Sequence, residues 1–222
     1  MRTLCVRALR QAPYEATWDA MRVFTQERRP DSVDELWLIE HPPVYTRGRN
    51  ARERAPAGLI PTVDTDRGGD LTYHGPGQLV AYTLFDLTGL GIGVRQLVHG
   101  LEETVLATLA AFGIGAQRRS GAPGVYVGDA KIASLGLRIR GGRSYHGLAL
   151  NVAMDLAPFG SIAPCGYQGL RVTQIADLGG PRDIAIVAPV LVEALAATFH
   201  YQPSRGTHGS ACGSTKSVIA RP

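Results

Sequence analysis

The apolar positions change period several times along the chain, and each change marks an expected element. Residues 3–8 alternate weakly, which suits a strand. Tyr14, Trp18, Met21 and Phe24 or Thr25 then recur at helical spacing behind Pro13, which suits a first turn, and predict a helix over about 13–28. Residues 36–40 form a short apolar strand stopped by His41-Pro42-Pro43. Residues 47–66, rich in Arg, Pro and Asp, lack any period and predict an irregular loop. Residues 78–87 are continuously apolar, as in a strand covered on both faces.

The clearest helix spans 94–112, where Val94, Leu97, Val98, Leu101, Val105, Leu109 and Phe112 share a face and Gly113 ends it. A three-strand meander follows at about 124–128, 131–140 and 144–152, turned by Gly128-Asp129 and Gly141-Gly142. Residues 154–180 read mostly as loop, and a last helix runs from about Pro189 to Phe199. The tail, 201–222, is rich in Ser, Gly and Thr without periodicity, and disorder is expected there. Helices and strands mix without strict β-α-β alternation and nothing repeats. The expectation is an α+β fold in one domain over 1–200.

Composition narrows the class. The 222 residues include 27 Gly and 14 Pro, roughly 18% against a usual ~12%, which favours turns and hairpins over a helical bundle. The net charge of +4 is mild. Arginines gather loosely at Arg47, Arg49, Arg52 and Arg54 and again at Arg138, Arg140 and Arg143, a solvated face or a dock for an acidic partner. No dense basic tract marks a nucleic-acid arm, no 18-residue apolar run spans a membrane, and charges interrupt the apolar residues of the first ten positions, so no signal peptide is visible. Cys5, Cys165 and Cys212 show no zinc or disulfide spacing, and a reduced, cytoplasmic setting is expected.

One cysteine invites chemistry. Cys165 stands between Pro164 and Gly166, a rigid loop poor for a core side chain. A free thiol ionises near pH ~8.5, so only about 3% is thiolate at neutrality, and a nearby cation is the simplest way to raise that fraction. His74, His146 and Lys131 are the candidates. If the strand 131–140 is regular, Lys131 shares an apolar face with Ala133, Leu135, Leu137 and Ile139, where desolvation favours the neutral amine. Each residue also has an ordinary structural reading. Gly136, Gly147 and Ala149 on adjacent strands leave room either for a narrow slot suited to an acyl chain or for close helix packing. RGRN and RGGD lack the setting of a phosphate loop.

Three segments, RGGDLTYHGPGQLVAY (67–82), APGVYVGDAKIASLGLRI (122–139) and SYHGLALNVAMDLAPFGSIAPCGYQG (144–169), together closely resemble the octanoyltransferase family of lipoate biosynthesis, the lipoyl(octanoyl) transferases. The resemblance implies a mixed sheet flanked by helices, as in biotin and lipoate protein ligases. It implies transfer of an octanoyl or lipoyl group from acyl carrier protein to a lysine of lipoyl domains, those of 2-oxo acid dehydrogenases and the glycine cleavage H protein. It puts the nucleophile at Cys165 and its partner at Lys131. Acyl-pocket segments fall on Arg67, Gly68, Gly69, Asp70, Leu71, Thr72, Tyr73 and His74, on Ser134, Leu135 and Gly136, and on Gly147, Leu148 and Ala149. His146 becomes an orienting group. No cofactor, metal, nucleic acid or membrane is expected, and the chain is expected to be a monomer. The rivals are an ATP-dependent lipoate or biotin protein ligase of the same fold and a non-catalytic basic binding module.

Overall fold

The computed structural model describes residues 2–52, 55–162 and 171–205. Strand β1 (Arg2–Gln11) leads into helix α1 (Tyr14–Glu27) and strand β2 (Asp34–Glu40). Three short strands follow, β3 (Val44–Arg47), β4 (Thr62–Asp64) and β5 (Leu71–His74), and then β6 (Gln78–Leu84). Helices α2 (Leu87–Leu90) and α3 (Val94–Ala111) precede β7 (Gln117–Arg118), β8 (Val125–Val127), β9 (Ala130–Arg140) and β10 (Arg143–Asn151). Helix α4 (Ile184–Thr198) and strand β11 (Tyr201–Arg205) complete the described chain.

Among the described residues these strands build an eight-stranded mixed sheet, ordered β11-β1-β2-β6-β10-β9-β8-β7, and a three-stranded sheet ordered β4-β3-β5. In the large sheet β1 pairs in parallel with β2 and β11 and the other described pairs are antiparallel; in the small sheet β3 pairs in parallel with β4 and antiparallel with β5. Both meander turns have the predicted glycines at positive φ, +53° at Gly128 and +56° and +74° at Gly141 and Gly142, as tight hairpins require.

Helices α3 and α4 cover one face of the large sheet. Leu97, Leu101, Val105 and Leu109 of α3 are fully buried there with Leu79, Ala81, Leu148 and Leu150. Each such side chain contributes about 1.5–3 kcal/mol relative to exposure. Val94, expected on that stripe, is 48% exposed because it opens the first turn beyond the sheet. Helix α1 and the small sheet cover the other face, over Trp37, Val80, Tyr82 and Ala149.

Several boundaries differ from the expectations. Residues 47–66 are not all loop, because β3 and β4 pair there through register 45↔62 to 47↔64. Helix α4 starts five residues before Pro189, since the Asp183 side chain caps it by accepting from the Ala185 N–H at 2.8 Å. The presumed tail begins too early: residues 201–205 are a strand paired with β1, and residues beyond 205 lie outside the described ones. Cys5 is buried and disulfide-bonded, against the expectation of unpaired thiols. No described helix is long and apolar enough to cross a membrane.

Candidate active site

A narrow cavity of about 40 Å³ lies where the small sheet and α1 meet β6, β9 and β10. Of the predicted residues, Arg67, Thr72, His74, Ser134, Leu135, Gly136, His146, Gly147, Leu148 and Ala149 line it. Tyr14, Val80 and Tyr82 complete the wall and were not anticipated. Leu71 and Tyr73 do not line it: strand alternation on β5 turns them into a separate apolar cluster with Tyr45, Met154, Phe159 and Ile162.

Gly68, Gly69 and Asp70 act through backbone. Gly68 N–H donates to Leu137 O at 2.8 Å, tying this loop onto β9. Arg67, 7% exposed, folds its guanidinium back to donate to Gly68 O (3.0 Å), Asp70 O (2.7 Å) and both oxygens of Thr46. The two slot glycines do different work from the one expected. A methyl at Gly136 would lie 3.0 Å from Arg67 Cδ, and one at Gly147 only 2.0 Å from Ala81 O. Gly136 thus admits the arginine loop and Gly147 admits the β6 backbone.

Behind the cavity runs a buried polar network, with three neutral histidines. His41 Nδ1–H donates to Ala12 O and its Nε2 accepts from Tyr82 OH, both at 2.7 Å. His74 Nδ1–H donates to Gln78 Oε1 at 2.7 Å. Burial pushes His41 down to about 4, and burial together with the His41 ring pushes His74 down to about 3. His146, at φ +61°, donates from Nε2 to Asp66 Oδ1 at 3.0 Å. Burial lowers His146 despite the carboxylate, so the pair is a neutral imidazole on an anion, not an ion pair. Burial alone would raise Asp66, yet hydrogen bonds from His146, Tyr145 and Trp18 outweigh it and hold the carboxyl well below the usual range. His146 is therefore oriented by Asp66, a residue the sequence reading missed.

Two outcomes follow for stability. The folded chain refuses protons that unfolded His41 and His74 accept, so stability is present above pH ~6.5 and falls as pH drops toward about 4. The depressed Asp66 loses its contribution at still lower pH. Thermal midpoints between pH 7.5 and 4 should fall in that window, and a flat profile contradicts the neutral histidines. Asp66→Asn offers one acceptor to three donors and should cost about 1–3 kcal/mol in chemical denaturation.

Lys131 lies outside the cavity wall, three residues before Ser134 on β9, and is 2% exposed. It does not follow the regular alternation expected. Val125 pairs with Ala133 while Tyr126 pairs with Lys131, so Ile132 is an extra residue, a β-bulge. Ile132 and Ala133 consequently both enter the apolar core, and the bulge re-aims the lysine. Its Nζ stands 5.4 Å from the centre of the Tyr126 ring. Its backbone is held twice by one segment: Lys131 N–H donates to Arg171 O at 2.8 Å, and Thr173 N–H donates to Lys131 O at 2.9 Å. Cys165 lies outside the described residues.

The mixed sheet, its helices and the cavity between β-layers define the fold of lipoate and biotin protein ligases. A bipartite lipoate protein ligase from Thermoplasma acidophilum superposes with a TM-score of 0.74 at 16% identity, over 94% of this chain and 88% of that one. The biotin protein ligase of Aquifex aeolicus gives 0.53 at 12%, over 90% and 69%. Residues 13–196 match the lipoyl protein ligase A/B catalytic domain. An octanoyltransferase of Pseudomonas putida (strain W619) is 58% identical over 186 residues, 82% of this chain and 86% of that one. The chain belongs to the octanoyltransferase family, and it is an acyltransferase of protein lipoylation.

Proposed function

We propose that the chain takes an octanoyl group from acyl carrier protein onto Cys165 and passes it to a lysine of a lipoyl domain, with Lys131 as the partner of the thiol. The observation that carries this is the fastening of the 171–173 segment to the Lys131 backbone. Ile162 and Val172, on either side of the cysteine stretch, pack in one cluster.

The chemistry closes without a cofactor. The Cys165 thiolate attacks the thioester carbonyl, the carbon–sulfur bond to the carrier breaks, and Lys131 supplies a proton to the departing thiolate. Octanoyl-Cys165 remains. The acceptor amine then attacks, an amide forms, and the Cys165 sulfur leaves and recovers a proton. The Lys131 ammonium steadies the oxyanion of the first step, and the neutral Lys131 it leaves takes the proton of the attacking amine in the second and returns it to the sulfur. The acyl chain enters between Gly136 and Ala149, where the narrow cavity has to widen to take its eight carbons. A working thiol suits the cytoplasm, and the lipoyl domains of 2-oxo acid dehydrogenases and the glycine cleavage H protein are the acceptors in this reading.

Mixed with octanoyl-acyl carrier protein under reducing conditions and without acceptor, the chain should gain one octanoyl group that hydroxylamine removes. ATP with free octanoate should add none. No adduct from the carrier, or an adduct only with ATP, overturns the reading by intact mass.

A further inference from the structure

We propose that Glu102 is a positioning residue for Lys131 and acts through the backbone of Gly124. The inference rests on the reading of Lys131 as the partner of Cys165.

Glu102 sits on α3 beside its apolar stripe and is 7% exposed, an expensive place for a carboxylate unless its oxygens are engaged. Oε1 accepts from the Gly124 N–H at 2.9 Å. Oε2 lies 3.4 Å from Arg118 Nε, a contact without hydrogen-bond geometry, while Arg118 bonds the neighbouring Glu103. The directed bond of Glu102 is therefore the one to Gly124.

Gly124 has φ +133°, a conformation side chains hardly enter, and it has no room for one. A Cβ there would lie 2.4 Å from Lys131 Cε, 3.1 Å from Nζ and 2.7 Å from Ala133 O. The Gly124 backbone is thus one wall against the last carbon of the lysine. The Tyr126 ring is another, within cation–π range of Nζ. That ring is itself fixed, because its hydroxyl donates to Ala122 O at 3.1 Å and Arg119 Cζ stands 4.5 Å from its centre. A lysine has four rotatable side-chain bonds. Here the end of the chain is set by residues 124–126, and a buried carboxylate from another element pins that span.

Two substitutions separate positioning from a plain charge role. Glu102→Gln keeps an oxygen for the Gly124 N–H but removes the charge facing Arg118. Glu102→Asp keeps the charge but is too short to reach Gly124. Lys131→Met is the reference. The readouts are the pH midpoint of iodoacetamide alkylation, followed on the Cys165 peptide by mass spectrometry, the single-turnover octanoylation rate, and the thermal midpoint as a check on folding. Glu102→Asp should move the alkylation midpoint toward that of Lys131→Met and slow octanoylation by about tenfold to a hundredfold, the effect of a small misplacement. Glu102→Gln should stay near the unmodified chain in both. A folded Glu102→Asp with an unmoved midpoint, or Glu102→Gln as impaired as Glu102→Asp, overturns the proposal. If Lys131→Met itself leaves the midpoint unmoved, the pairing of Lys131 with Cys165 fails, and the role of Glu102 falls with it.

Discussion

A Cys165→Ser chain mixed with octanoyl-acyl carrier protein should carry no octanoyl group and should turn over at least about 10³-fold more slowly than the unmodified chain. The reason is intrinsic to the atom. A serine hydroxyl ionises far above neutrality, and a neighbouring cation that would suffice for a thiol leaves an alcohol protonated. The fold should not notice the change. The cavity, the histidine network and the Lys131 backbone bonds involve other residues. A stoichiometric octanoyl adduct on Cys165→Ser, seen by intact mass, places the acyl group elsewhere and removes the cysteine from the mechanism.

Lys131→Ala should lose about 10²–10⁴ in transfer rate at pH 7 while the acyl chain still binds, so kcat falls and KM for the carrier changes little. The loss should shrink toward pH 9, because a thiol ionising near ~8.5 no longer needs a cation there. That recovery distinguishes thiol activation from a collapsed site. Lys131→Met, which keeps most of the stem volume, should behave the same way and excludes a cavity effect. An unchanged rate near pH 7 in both variants excludes Lys131 as the partner.

The long periodic elements could be read from sequence for a physical reason. Helix α3 repeats its apolar face over four turns, and the meander strands β8 to β10 are closed by glycine turns whose positive φ is written in the residue type. The small sheet could not be read this way. Strands β3, β4 and β5 are three or four residues long, and their pairing partners lie far along the chain. Gly136 and Gly147 were legible as places of close approach, but what approaches them was not: the Arg67 loop at Gly136 and the β6 backbone at Gly147 are tertiary facts. The Lys131 face was misjudged because a bulge leaves no mark on residue type. Tyr14 and Tyr82 carried a faint signal, since buried tyrosines require partners for their hydroxyls; Asp66, just before the RGGD stretch, serves Tyr145 instead. Glu102 carried a fainter one still, an acid next to a core leucine in an otherwise well-patterned helix.

Strand β11 has a practical meaning. It covers the outer rim of β1, where residues 2–6 lie beside residues 201–205. A shortened chain ending at His200 would leave that rim open, with unshared amides and carbonyls available to a second molecule. A cut at the boundary suggested by composition would therefore trade a five-residue border strand that carries Pro203 for the open flank of the ten-residue β1.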